Sequence, residues 1–462
     1  MTLADKIIIE LEKYLKPDED KRFNIFNRFE MVLEDTSAAD WLRFRTSGAR
    51  VHWQDRRTRL AVTAFGEADL LSGPDLADFS NLFYKIRHVL ENSDPRIRYY
   101  GGLSFTRHNH HEPIWRDFGD YYFLLPRYEI IKDTDHTKFA INYRREDLRE
   151  IIAELPDFFQ MTADTAIMAP AMTEKYHLPD RMGWKMMVGQ ALNAIHSGVY
   201  EKIVLARKTK FSFSEPLNPA DILENLKVSN PGSTYFLFQP KPGAVFIGGT
   251  PELLYQRNGS DIFSEAIAGT RMRGKNEQED EKYEAELLNS EKDRWEHRFV
   301  MDNVHEILEG LCSEMDSSAD VSVLKLSRVQ HLYTSFHGTL KPDITDAQII
   351  AQLHPTPAVG GYPTDNALPE IESLEPFRRG WYAAPVGWLA RDAAHFAVAI
   401  RSGLVLGSDL YLYSGAGIVK GSEADLEWEE INNKIASFLR VLNINGDEPV
   451  ANEKERMSLI LK

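Results

Sequence analysis

Apolar and polar positions change period several times along the 462-residue chain. Alternation of period two, the mark of strands with one buried face, runs through residues 23–33, 49–53 and 60–65. It returns at 99–105 and 121–125, where Pro126 is expected to end the strand. Further on, Asp180 is placed to cap a helix whose Trp184, Val188, Ala191, Leu192 and Ile195 share one side, and Gly198 stops it. Short strands follow at 202–207, 234–239, 244–248, 253–257 and 262–267. From about Asp280 the pattern turns helical, with Leu287, Trp295, Phe299 and Val304 as its buried stripe. Strands are expected again at 394–406 and 410–415, and the last long helix begins near Asp425. Between Leu155 and Pro179 periodicity fades, as in a connecting segment. No repeat of fixed period appears, and strands with interspersed helices predict an α+β fold.

Two helical stretches carry paired carboxylates. Asp293 and Glu296 are three apart, and so are Glu427 and Glu430, with Lys434 one turn beyond; residues at that spacing project from one face. Carboxylates held together attract solvent, a counter-cation or a metal, and two such pairs suit a hard, oxygen-seeking dication of the Mg²⁺ type. Solvated faces of two acidic helices explain the spacing equally well. Before the first pair, Gly269, Thr270 and Gly274 form a loop able to turn backbone N–H groups toward an anion. Lys202 opens an apolar strand, so its head either snorkels to water or reaches a cleft. Glu252 follows a tight Gly248-Gly249-Thr250-Pro251 turn, where a lone glutamate is usually solvated. His108, His110 and His111 sit in a polar loop, and solvation explains them better than a metal.

Composition narrows the classes. A formal charge of −16 argues against nucleic acid as a partner, since a phosphate backbone requires a basic face. Cys312 is the single cysteine, so no intrachain disulfide forms and a reducing, cytoplasmic compartment is expected. The charged amphipathic N-terminus lacks the apolar core of a secretion signal, and no run of 18 apolar residues suggests a membrane span.

Several ordered motifs carry a resemblance. Ser264-Glu265-Ala266-Ile267-Ala268-Gly269-Thr270-Arg271, the Lys292…Glu296-His297 helix and Gly415-Ala416-Gly417-Ile418-Val419 with the tail Glu427-Trp428-Glu429-Glu430 resemble the chorismate-utilising enzymes. Lys202-Ile203-Val204-Leu205-Ala206-Arg207, Gly249-Thr250-Pro251-Glu252 and His354-Pro355-Thr356-Pro357-Ala358-Val359 add to it, in family order over roughly residues 180–440. The resemblance implies one large domain over residues 1–462, with antiparallel sheets stacked face to face and helices outside. Residues 1–155 then supply the weaker-signalled half of the sandwich and residues 180–440 the catalytic half. It also implies that Lys202 is a general base activating water and Glu252 a general acid assisting loss of a ring hydroxyl. Glu296 and Glu430 are implied as Mg²⁺ ligands, with Asp293 and Glu427 beside them or bridging through water. Asp293 stands where many relatives carry glutamate, so its reach is shorter. Tyr382, Arg401, Gly415 and Lys434 match positions that hold the enolpyruvyl carboxylate, and Gly269 and Thr270 those at the ring carboxylate. Arg271 and Arg273 read as members of a solvated loop, and His331 and His337 as pocket-lining or structural histidines.

The branch within the family rests on fewer residues. Anthranilate synthases take ammonia from an amidotransferase and usually carry Leu-Leu-Glu-Ser near the N-terminus; this chain has no such motif, so no amidotransferase partner is expected. Relatives that form salicylate or anthranilate tend to carry threonine where this chain has Val359 after Ala358. An aliphatic residue there resembles the isochorismate-forming branch, and the Gly101-Gly102 strand resembles its menaquinone members. A siderophore-pathway isochorismate synthase, a salicylate synthase and a catalytically silent chorismate-binding subunit are the competing readings.

Overall fold

The computed structural model describes residues 2–15, 24–33, 41–42, 48–58, 60–75, 79–106, 112–159, 170–316, 320–326 and 328–442. His108, His110 and His111 lie outside the described residues. Helices and antiparallel strands are mixed along the chain, as the α+β expectation has it. Ladder hydrogen bonds link the strands into one antiparallel series. From one edge it runs Met172–Leu178, Lys202–Phe213, Asp409–Val419, Ser402–Leu406, Ala244–Thr250, Thr234–Lys241 and Arg50–Gln54. It continues through Ala61–Gly73, Tyr121–Lys132, Arg98–Leu103, Pro385–Ala390, Ala393–Val398, Leu253–Asn258, Asp261–Met272 and Val329–Leu340. Strands from before residue 155 are thus inserted between strands from after residue 230.

The main apolar core gathers aromatic rings from remote segments. Trp381 meets Phe118, Phe238 and Phe246 at centroid distances of 5.3, 5.8 and 6.1 Å, and Trp115 meets Phe246 at 5.3 Å. Rings of this size remove 150–250 Å² each from water, which makes them the dominant apolar contribution where layers meet. A second core lies under the helices Pro219–Ser229 and Ala424–Val441, with Leu223, Leu237, Val245, Ile435 and Phe438 buried.

Four expectations are corrected. Pro126 does not end its strand, which runs Tyr121–Lys132. The proline sits where the neighbouring strand changes register between Glu67 and Asp69, so no ladder donor is needed from it; its carbonyl accepts from Asn142 at 2.8 Å. The segment 155–179 is not a featureless connection: the helix Leu148–Phe159 closes one end and the strand Met172–Leu178 the other. That strand forms the edge of the series and is only partly buried, so its polar residues hide the alternation. The strand expected over 394–406 is two, broken at Arg401, whose φ of 51° is left-handed. Finally, Trp295 is 51% exposed and is not part of the buried stripe. The acidic helix divides at Ser290, whose side chain caps the helix Glu291–Leu311, and that helix buries His297, Val300, Val304 and Leu308 instead.

Candidate active site

A cavity of about 900 Å³ opens between strands of the series and the helices Glu291–Leu311 and Ala424–Val441. Glu252, Gly269, Thr270, Asp293, Glu296, Ala358, Val359, Tyr382, Arg401, Gly415, Glu427, Glu430 and Lys434 all line it. Lys202 does not face the cavity directly. It is fully buried behind Glu296, with its Nζ 3.0 Å from Glu296 Oε1. Strand pairing explains this convergence: Val419 lies opposite Lys202, Gly417 opposite Val204 and Gly415 opposite Ala206. A Cβ on Gly417 would sit 2.7 Å from Glu296 Oε1 and 3.0 Å from Lys202 Cε, so that glycine leaves room for the pair.

Glu252 lies on the opposite branch of the chain, between Thr250 and the strand Leu253–Asn258. Its amide donates to Thr250 Oγ1 at 3.2 Å, and its carbonyl accepts from Val398 at 3.1 Å. Burial pushes its carboxyl up to about 7, Lys202 pulling against the rise and Glu265 adding to it. Glu296 moves the other way. Burial raises it, but Lys202, Lys434 and Lys292 more than offset that and hold it below the usual carboxylate range.

Each candidate metal ligand is paired with a side-chain cation. Glu296 pairs with Lys202 at 3.0 Å, Glu427 with Lys292 at 3.2 Å, Asp293 with Arg271 at 2.6 Å and Glu430 with Lys434 at 2.7 Å. No three of these carboxylates offer oxygens within 4.8 Å of one another. Among the described residues that closeness occurs at Asp133, Asp135 and His136, an exposed turn whose Asp133 accepts from the amides of the other two. The donor chemistry at the cavity nonetheless fits a hard dication: all four groups are carboxylates, on two facing helices. Glu427 is 2% exposed and pushed up by burial, against the pull of Lys292, so a stronger cation would be welcomed there. Holding such an ion requires the lysines and Arg271 to give way.

The anion receptors are separately positioned. The left-handed backbone at Arg401 breaks its strand and turns the guanidinium to the cavity, where Nη1 lies 3.4 Å from the Lys434 carbonyl. Lys434 Nζ donates to the Gly415 carbonyl at 2.8 Å. Tyr382 is buried and stacked on Tyr413 at 5.2 Å. Gly269 takes φ 66°, and a Cβ there would lie 3.0 Å from Asp293 Cβ. Its carbonyl and Thr270 Oγ1 lie 3.0 and 3.1 Å from His331 Nδ1. Burial drops His331 to about 4, so it lines the cavity as a neutral ring. His337 is outside the cavity, against Phe263.

Gly274, by contrast, offers no free amide: its N–H is taken by Asp280 at 2.9 Å. Arg273 is bound to that same Asp280, and Arg271 to Asp293, so neither arginine is merely solvated. Sequence reasoning also missed Arg379 and Arg56. Arg379 is buried and donates to the carbonyls of Val359 and Val204 and to Glu375. Arg56 reaches Glu265 and the Pro251 carbonyl. Neither stands in an apolar run or at a telling spacing, so only the fold assembles them.

A cavity lined by buried Glu252 and by Lys292, Arg401 and Lys434, with Lys202 behind it, suits acid–base chemistry on a small anion. The family model described as chorismate binding enzyme matches residues 18–443, and the chain belongs to that family. It is 30% identical over 440 residues to an isochorismate synthase of Catharanthus roseus, covering 91% of this chain and 76% of that one. It is 34% identical over 356 residues to the isochorismate synthase MenF of Bacillus subtilis, covering 74% of each. The solved structure of MenF, the menaquinone-specific isochorismate synthase from Escherichia coli, superposes with a TM-score of 0.81 at 25% identity, covering 95% of this chain and 99% of that one.

Proposed function

We propose that this protein is a cytoplasmic, Mg²⁺-dependent isochorismate synthase that serves menaquinone biosynthesis and works without an amidotransferase subunit. The observation that carries the reading is a cavity lined by buried Glu252, raised to about 7, with fully buried Lys202 set just behind the Glu296 that also lines it. The relatives named above support the activity, and the menaquinone-specific relative supports the pathway.

In this reading chorismate lies with its enolpyruvyl carboxylate toward Arg401, Tyr382, Lys434 and the Gly415 backbone. Its ring carboxylate lies toward Gly269 and Thr270, with Ala358 and Val359 beside the ring. Once released from Glu296 and deprotonated, Lys202 accepts a proton from the water that adds at C2. The ring double bonds shift, and Glu252 gives its proton to the hydroxyl leaving C4 as water. One water enters and one departs, so the reaction is an isomerisation, and a proton returned from Lys202 to Glu252 through solvent resets the site. Each transfer is worth on the order of 10²–10⁴-fold in rate. Glu296 and Glu430, with Asp293 and Glu427 beside them, would hold Mg²⁺. When bound, the ion neutralises the ring carboxylate while charge moves through the ring.

Incubation of the purified protein with chorismate and Mg²⁺, followed by chromatographic identification of the product, tests this. Isochorismate alone supports the proposal. Salicylate with pyruvate would assign the chain to the other branch, and unchanged chorismate would make it a silent binder.

A further inference from the structure

Arg56 lies just past the strand Arg50–Gln54, in the part of the chain with the weakest motif signals, yet its guanidinium reaches the acid's own turn. One nitrogen donates to the carbonyl of Pro251, the residue before Glu252. Another donates to both carboxylate oxygens of Glu265 on the strand Asp261–Met272. The side chains of Arg56 and Glu265 are 10% and 1% exposed, so little water screens the pair. Asp55 next to it accepts from the amides of Arg57 and Thr58 at 2.9 and 3.2 Å, which fixes the loop that delivers Arg56.

We propose that Arg56 is a positioning residue for Glu252: by bridging the Pro251 carbonyl and the Glu265 carboxylate it fixes where the acid enters the cavity and sets the charge against which that acid gives up its proton. The inference rests on Glu252 being the acid of the proposed reaction. The charged groups around Glu252 come from four elements. Lys202 faces it from the strand Lys202–Phe213, Lys434 from the C-terminal helix, Glu265 from the strand Asp261–Met272 and Arg56 from the N-terminal loop. Tyr382 is beside it and uncharged at neutral pH. Glu265 in turn feels Arg56, Arg57 and Asp55. Glu265 raises the proton affinity of Glu252 and Arg56 lowers it, Glu265 having the larger influence. Removing Glu265 therefore moves Glu252 down, and removing Arg56 as well reverses part of that fall. A bridge with a purely structural role has no such sign pattern.

The test reads the Glu252 proton directly, as the pH titration of the glutamate carboxyl resonance that disappears from Glu252→Gln protein in isotope-labelled samples. Glu265→Gln keeps the shape and an acceptor for Arg56, and should lower the Glu252 transition by about one pH unit. The pair Arg56→Gln with Glu265→Gln should place it between the single Glu265→Gln variant and the wild type. Arg56→Lys, which keeps the charge but cannot span both acceptors, should leave the transition in place and reduce kcat at least tenfold with KM nearly unchanged. An unmoved transition in Glu265→Gln, or a double variant displaced further than the single one, would overturn the proposal. If Glu265→Gln does not fold, Arg56→Gln alone should raise the transition, and one that stays in place or falls overturns the proposal equally. If the titrations behave as described but Glu252→Gln still makes isochorismate, the charge relation stands and the acid's assigned role fails.

Discussion

Replacing Glu252 by glutamine should remove activity and add stability, and the size of the second effect follows from the buried carboxyl. The group is 8% exposed and rises from 4.5 to about 7 in the folded protein. At about 1.4 kcal/mol per pH unit that rise amounts to about 3 kcal/mol of differential stability. The sign is fixed by which state holds the proton. Between about 4.5 and 7 the folded protein keeps a proton that the unfolded chain gives up, so the stability tied to this group falls as pH rises through that window. Above about 7 a bare carboxylate must be held in the interior and the loss is complete. Glutamine has nearly the same shape and does not titrate. Urea unfolding of wild type and Glu252→Gln should therefore give similar free energies near pH 4.5. By pH 8 the variant should be more stable by about 3 kcal/mol, since all other titrating groups are shared. A difference that stays flat from pH 4.5 to 8 would show that Glu252 is not a buried acid of raised proton affinity, and its part in the chemistry would fall with it.

Lys202→Ala should lower the turnover of chorismate by roughly 10²–10⁴-fold, measured by product formation at saturating substrate, while the circular dichroism spectrum stays that of the wild type. Chelation should silence the enzyme reversibly, and Glu296→Ala or Glu430→Ala should weaken Mg²⁺ binding at least tenfold in calorimetric titration; unaltered Mg²⁺ affinity in both variants would remove these residues as ligands. Val359→Thr should slow isochorismate formation and release detectable salicylate and pyruvate, at a burial cost of roughly 1–3 kcal/mol for the added hydroxyl. Arg379 fixes the Val359 carbonyl at 2.8 Å, so the backbone at that position should not move, and a variant that makes only isochorismate at the normal rate would remove position 359 as the branch determinant.

The parts of the fold legible in the sequence are those where one face is wet. The helix Arg181–His196 shows its Asp180 cap, with the side chain accepting from Gly183 at 2.8 Å, and its apolar side. The strand Lys202–Phe213 is buried without a break from Lys202 to Thr209, and its buried Lys208 and Thr209 are polar, so only the apolar run 202–207 was visible as a strand. The breaks at Ser290 and Arg401 were hidden for other reasons. Ser290 is a local cap, accepting from the Asp293 amide inside a continuously polar run that gives no change of period, and the break at Arg401 depends on a backbone angle that side-chain pattern does not encode. At the site, glycines and carboxylates at short spacing could be read, because spacing fixes which residues share a face. Cations around the site could not be placed: Lys292 and Arg271, which meet Glu427 and Asp293, and Arg379 and Arg56, which meet Glu375 and Glu265, are ordinary surface residues by sequence and acquire these partners only in the fold.

That pairing also explains why the motif residues are useful only as a set. The ladder that sets Val419 opposite Lys202 carries Gly417 and Gly415 into register with Val204 and Ala206, so a slip of one residue would turn Lys202 to the other face of the sheet. Gly417 then has to be bare, because Glu296 and Lys202 meet above it. Glu296 reaches that point because Ser290 restarts its helix with Asp293 Cβ close to left-handed Gly269. Each position is thus set by a neighbour that belongs to a different motif. The N-terminal residues enter the same chain of constraint through Arg56, which grips Pro251 and Glu265 from outside the motif-bearing segment. The described residues that line the cavity all follow residue 203, so the strands inserted from before residue 155 bear on the site from behind its wall, through the Arg56 guanidinium.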